Sequence, residues 1–324
     1  MIVKNQVVRA DYDDIVYCSM ALEAQDIFEQ DPLWQPFFHK TGIFWTARND
    51  FAQEVIDNYK TLGRKADLSA VPVHEARKMY DGLFEDADYS GVKEVLVNKT
   101  SGWAAAGDCL RAVTRKCIEL GVNYVVGEVE ALRFDESSGR CMGLKTSRGD
   151  ALTASHVILS TGAYTPKLLE LCAARSHRPN LAVGNRIVAG GITTGMTKLT
   201  EESYPRFANM PVGVQGYTPE AGKRSPTLVN KQGTHDNANI MTTGPFIGSL
   251  PPTPDRELKW WGQKIFRNTS EVLPGRFLSA PPAERDYAQW KVSAQLKEDI
   301  DHANHVFYGK NGANWVMEKH RICW

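Results

Sequence analysis

The sequence lacks an excess of either charge: 38 basic residues face 38 acidic ones among 324, for a formal net charge of zero. A neutral chain gives no electrostatic reason to expect nucleic acid or an anionic membrane as a partner. Long apolar runs are missing too, and none approaches the roughly 18 residues of a membrane-spanning helix. The six cysteines include no CxxC pair, and the opening Met1-Ile2-Val3-Lys4-Asn5-Gln6 has no secretory pattern. The thiols are therefore expected to be reduced in an intracellular protein, and the sequons at Asn98 and Asn268 carry little meaning. No P-loop, nucleophile elbow or zinc ribbon is present. Gly184, Gly190, Gly191 and Gly195 come nearest to a glycine-rich loop, but their spacing is wrong for phosphate and no strand–helix pattern surrounds them. His302 and His305 stand about one helical turn apart near Glu298 and Asp301; with no further ligands at hand they read as a polar helix face, and no metal is expected.

What is present centres on His156-Val157-Ile158-Leu159-Ser160-Thr161-Gly162-Ala163-Tyr164-Thr165-Pro166. Val157 to Ser160 reads as a buried strand, Thr161-Gly162-Ala163 as a small-residue turn, and Thr165 with Pro166 as the cap and first position of a helix. A turn of small residues lets phosphate or sugar approach the backbone, and the carboxyl end of a parallel strand is where open α/β sheets hold ligands. Upstream, Ala106, Leu110, Val113, Cys117 and Leu120 repeat at helical spacing, with Gly121 as the cap. Val122 to Val126 reads as a strand. The stretch from Gly127 to Ala154 reads as a three-stranded antiparallel excursion with turns at 135–139 and 147–150.

Elsewhere, Asp11, Asp13 and Asp14 are N-cap candidates for a helix whose apolar face is Val16, Met20, Ala24 and Ile27. Thr41 to Ala47 reads as a strand, Asp50 to Leu62 as a helix, and 65–98 as helix and connecting loop. Leu181 to Tyr217 reads as antiparallel strands, Pro251 to Pro254 as a rigid break, and Trp260-Trp261 with Ile265-Phe266 as a helix.

This succession resembles the D-amino-acid-oxidase-like flavoprotein family, in particular the fungal branch of fructosyl amino acid oxidases, saccharopine oxidases and sarcosine or pipecolate oxidases. The matching pieces are Asn5 to Tyr12, Ser101-Gly102-Trp103-Ala104, Leu120-Gly121-Val122, Ser160 to Ala163, Thr165 to Leu169 and Arg321-Ile322-Cys323-Trp324. The resemblance implies an α/β plus α+β fold: an incomplete FAD-binding Rossmann-like domain (1–175), an antiparallel-sheet substrate domain (176–312) and a return to the first domain (313–324). The GxGxxG unit of such a domain would lie before Met1, and the family's closing segments would lie after Trp324.

By the same resemblance the cofactor is FAD, with Cys323 forming a thioether to its 8-methyl carbon in a positive field from Lys319, His320 and Arg321. The alternative for Cys323 is a small buried hydrophobe. Arg9 would clamp a substrate carboxylate, its alternative being a surface arginine near Asp11. Lys231 is the candidate for the family's lysine near flavin N5, against a solvated loop lysine. Asn5 falls in the segment beside the flavin ring, Val129 where the backbone meets adenine, and Thr161, Gly162 and Ala163 in the cofactor turn. Gln6 departs from the family, which carries Lys or Arg there. The expected activity is oxidation of a secondary amine or amino acid C–N bond to an imine, with O2 reduced to hydrogen peroxide, by a monomer in cytoplasm or peroxisome. The alternative is a truncated, non-catalytic form.

Overall fold

A computed structural model describes residues 5–216, 239–243, 246–282 and 290–324. Its centre is a mixed sheet whose main path runs Lys319–Cys323, Gly191–Lys198, Glu257–Arg267, Phe246–Leu250, Val212–Gly216, Ile43–Thr46, Glu94–Asn98, Leu68–Pro72. Asn239–Thr243 adds to Glu257–Arg267 off that path. Val212–Gly216 lies parallel to Ile43–Thr46, and every other recorded pairing in this sheet is antiparallel. The sheet takes strands from both sides of position 175, and its closing strand, Lys319–Cys323, pairs with Gly191–Lys198.

Both faces of the sheet are covered near its middle. On one face the helix Ala294–Tyr308, capped by Ser293 through the Leu296 N–H, packs Ile300, Phe307 and Tyr308 onto Phe44, Leu258 and Trp260. The Trp260 indole donates to the Ile300 carbonyl at 3.0 Å. Phe307 sits so close to Gly213 that an added Cβ would come within 2.0 Å of its ring, which is why glycine stands there. On the other face Ile15–Gln30 and Phe51–Thr61 enclose Cys18, Leu22, Val55 and Tyr59 with Ile43, Trp45, Val212 and Val214. A small sheet, Gln6–Val8 with Gly102–Ala104 and Phe38–His39, lies on that side. No helix among the described residues is long and apolar enough to cross a membrane.

Several expectations hold in detail. Asp14 caps the first helix, its Oδ1 accepting from the Val16 and Tyr17 N–H groups. Ala106–Glu119 ends at Gly121, whose φ of +90° and the bonds Gly121 N–H to Ile118 and Val122 N–H to Cys117 make a Schellman cap. Val129–Phe134, Cys141–Thr146 and Ala151–Thr153 form the three-stranded antiparallel excursion.

Others do not hold. Glu257–Arg267 is a strand of 11 residues and not a helix. Both its faces are largely covered, so bulky residues follow one another without the alternation that marks a half-buried strand. The region 65–98 contains the strands Leu68–Pro72 and Glu94–Asn98. The first helix buries Cys18, Leu22 and Gln25, while Val16, Met20 and Ile27 face solvent. Val122 to Val126 and Val157 to Ser160 belong to no strand: they have no ladder partner among the described residues, and Ile158 is 89% exposed.

Candidate active site

Strand register gathers the site. Along Gly191–Lys198, Met196 lies opposite both Lys259 and Lys319, Thr194 opposite Trp261 and Arg321, and Ile192 opposite Ile265 and Cys323. Side chains in one cross-strand row share a face. Lys259, Arg321 and Cys323 therefore stand on one side of the sheet. His320 and Ile322 alternate to the side of the helix Ala294–Tyr308, Ile322 joining Leu296.

Lys259 was not singled out by its sequence. It is 7% exposed, and its ammonium donates to the Asn5 carbonyl at 3.1 Å. Burial pushes its pKa down, the Cys323 thiol counteracts this, and Arg321 adds to it. A buried lysine with one hydrogen bond among the described residues is costly to keep charged, the usual condition of a functional amine. The signal was available: Lys259 is an ionisable group in the otherwise bulky, apolar stretch Leu258-Lys259-Trp260-Trp261. Reading that segment as a helix hid it. Lys231 lies outside the described residues.

Asn5 is 1% exposed, and its side-chain Nδ2 has no hydrogen-bond partner among the described residues; the buried Trp103 Nε1 likewise has none among them. Two buried donors without acceptors on the same sheet side ask for an acceptor-bearing ligand. The guanidinium of Arg9 lies 4.0 Å from the Tyr12 ring centre and 4.6 Å from that of Trp45, and its Nη1 donates to the Asp11 carbonyl. Trp45 packs with Val212, Val214 and Trp261, so Arg9 is on the Lys259 side of the sheet.

The remaining candidates sit elsewhere. Val129 opens the three-stranded sheet opposite Thr146. Thr161 precedes a single 3-10 turn, Gly162–Tyr164, and its hydroxyl pairs with that of Thr165 at 2.8 Å. Gly162 has φ +51° and nothing within 4 Å of a built Cβ, so this turn is open to a ligand. It reaches the closing strand by way of other elements: Thr165–Arg175 packs on Arg276–Ser279, and Ser279 donates to the Ala189 carbonyl at 2.7 Å, beside the strand that pairs with Cys323. Of the three cations expected around Cys323, Lys319 is engaged with Glu257 at 2.5 Å and His320 faces away.

The buried donors at Asn5 and Trp103 and the thiol of Cys323 fit the ring end of a flavin, which offers acceptor oxygens and nitrogens and a methyl edge. No glycine-rich phosphate cradle occurs among the described residues. Among these residues no His, Cys, Asp and Glu cluster could hold a metal ion.

Comparison with known proteins gives one family and several likenesses. Residues 7–288 match the family model described as DAO, FAD dependent oxidoreductase. L-saccharopine oxidase of Schizosaccharomyces pombe is 26% identical over 224 residues, covering 64% of this chain and 49% of that protein. An amino acid oxidase of Aspergillus fumigatus, fsqB, is 33% identical over 85 residues, 25% of this chain and 17% of that one. Among solved structures, a thermally stable fructosyl peptide oxidase mutant superposes with a TM-score of 0.73 at 17% identity, over 99% of this chain and 69% of that one. The Aspergillus fumigatus fructosamine oxidase Amadoriase II, in complex with FSA, gives 0.71 at 18%, over 99% and 66%. The chain spans about half the length of the fission yeast oxidase it matches.

Proposed function

Because the chain belongs to the FAD-dependent oxidoreductase family, we propose that it takes part in the oxidation of a secondary amine or amino acid at its C–N bond. The relatives named for saccharopine and amino acid oxidation support that substrate class. The carbon and nitrogen lose two electrons and two protons to give an imine, and O2 takes up both to give hydrogen peroxide. FAD, when bound, supplies the two-electron acceptance.

The protein's residues orient and polarise. Arg9, its guanidinium against the rings of Tyr12 and Trp45, clamps the substrate carboxylate through its planar fork. Asn5 and Trp103 direct their buried N–H groups to acceptor atoms of the ring. Cys323 would offer its thiol for a thioether to the methyl edge, the S–H and one methyl C–H giving up together two protons and two electrons, which O2 would take up as hydrogen peroxide. The lysine that faces dioxygen is Lys259 in this reading and not Lys231: its buried ammonium stabilises negative charge developing on oxygen. The observation that carries the proposal is the sharing of one sheet face by Lys259 and Cys323, with Asn5 tied to the lysine.

The test is denaturing electrophoresis of expressed protein under ultraviolet light, followed by a peroxide assay with N-alkyl amino acids. A fluorescent band that vanishes in Cys323→Ala is expected. Lys259→Met should slow peroxide release roughly 100-fold, while Lys231→Met leaves it unchanged; the reverse ranking returns the role to Lys231.

A second reading, a non-catalytic form, is favoured by one observation: Val122 to Val126 and Val157 to Ser160, which would floor a nucleotide site, lack ladder partners among the described residues. Protein that stays colourless after incubation with FAD would decide for it.

A further inference from the structure

Arg9 can clamp a carboxylate only if its guanidinium is held, and what holds it is traceable. The rings of Tyr12 and Trp45, 4.0 and 4.6 Å from the guanidinium carbon to their centres, limit where the group can sit but not how it turns. Rotation is fixed by the one hydrogen bond it makes among the described residues, from Nη1 to the backbone carbonyl of Asp11. That carbonyl belongs to a residue whose side chain is anchored at both carboxylate oxygens. Asp11 is fully buried; Asn98 Nδ2 donates to its Oδ1 at 2.7 Å and Ser101 Oγ to its Oδ2 at 2.6 Å.

The anchors are themselves fixed. Asn98 Oδ1 accepts from the Thr100 N–H at 2.9 Å and from the Thr100 hydroxyl at 2.6 Å, closing an Asx-type turn over 98–101. Asn98 Nδ2 also reaches the Tyr59 hydroxyl at 3.1 Å. Asn98 is the last residue of Glu94–Asn98 and Tyr59 lies in Phe51–Thr61, so the turn is tied to both the large sheet and a covering helix. Burying a carboxyl here is expensive, and burial indeed pushes the Asp11 pKa up. What the cost secures is that two buried donors, the Asn98 amide and the Ser101 hydroxyl, have their acceptor and the backbone at residue 11 is held in one place.

We propose that Asp11, with Asn98 and Ser101, is a positioning device for Arg9 that sets affinity for the carboxylate of the substrate. This rests on the reading of Arg9 as the clamp. The chain is a relay of hydrogen bonds: Asn98 and Ser101 hold the Asp11 side chain, the side chain holds its own carbonyl, and the carbonyl aims the guanidinium.

The test is carboxylate binding by the full chain, with acetate as probe and acetamide as neutral control, read by tryptophan fluorescence. Trp45 lies under Arg9, and Trp45→Phe identifies its share of the signal. Acetate, and not acetamide, should bind the wild type. Arg9→Met should abolish binding, and Asp11→Ala and Ser101→Ala should each weaken acetate binding about tenfold, Ser101→Ala with the melting transition retained. Asp11→Asn, which can still accept from Asn98 and donate to Ser101, should recover most of the loss. If neither wild type nor Arg9→Met binds acetate, or both bind it alike, the clamp itself is refuted. If Arg9→Met loses binding while folded Ser101→Ala and Asp11→Ala bind as the wild type does, the clamp stands and the positioning role is overturned.

Discussion

The strand Glu257–Arg267 and the segment Val157 to Ser160 both carry bulky apolar residues side by side, Trp260-Trp261 and Ile265-Phe266 in one and Val157-Ile158-Leu159 in the other, yet they end in opposite environments. The first is hydrogen-bonded to neighbours on both sides and covered by a helix, with Trp260 only 1% exposed. The second has no ladder among the described residues, and Ile158 is turned to water. Val122 to Val126 behaves likewise, with Val126 72% exposed. The difference teaches that β-propensity is a fitness for a half-built surface, not an instruction to form one. A strand sequence becomes a strand where partners supply the hydrogen bonds and a second layer supplies the burial.

The largest effect should come from the covered side. Trp260→Ala removes an indole packed against Ile300 and Trp315 and should cost roughly 3–5 kcal/mol in urea unfolding; a loss under 1 kcal/mol would deny that this sheet is the stable core. A smaller effect concerns Lys259. Its pKa is lowered from 10.5 in the folded chain, so between the lowered value and 10.5 the unfolded state holds more protons. Stability contributed by this group therefore rises with pH across that window. The difference in unfolding free energy between wild type and Lys259→Met, followed from neutral pH upward, should move in the wild type's favour; a constant difference contradicts the burial of the charge. The smallest effect belongs to the bare segments. Ile158→Ser and Val126→Ser should each change stability by less than about 0.5 kcal/mol while lowering binding of a hydrophobic dye. A loss of several kcal/mol would show that these side chains are covered after all.

How much of this was legible follows the same division. Local chemistry was readable: Asp14 as a cap, Gly121 as a helix end and the turns of the 129–153 excursion need only neighbours in sequence. What depended on distant partners was not. The buried stripe of the first helix is Cys18, Leu22 and Gln25, chosen by the surface it meets, although Val16, Met20 and Ile27 make an equally apolar stripe. At the candidate site, Arg9, Asn5 and Cys323 were found through resemblance, and the structure puts them on one side of the sheet. Lys259 escaped because a strand covered on both faces shows no alternation to betray it. Asp11 was seen only as a cap candidate, since nothing nearby in sequence announces Asn98 and Ser101 as its donors.

The closing strand has a bearing on how the protein is made. Ile192 and Cys323 sit face to face, yet 131 positions separate them along the polypeptide, counting from 192 to 323. At ribosomal speeds of about 5–20 residues per second, the berth for Cys323 stands open for on the order of ten seconds before its occupant is synthesised. The Cys323 thiol thus reaches a neighbouring strand that leaves the ribosome well before it.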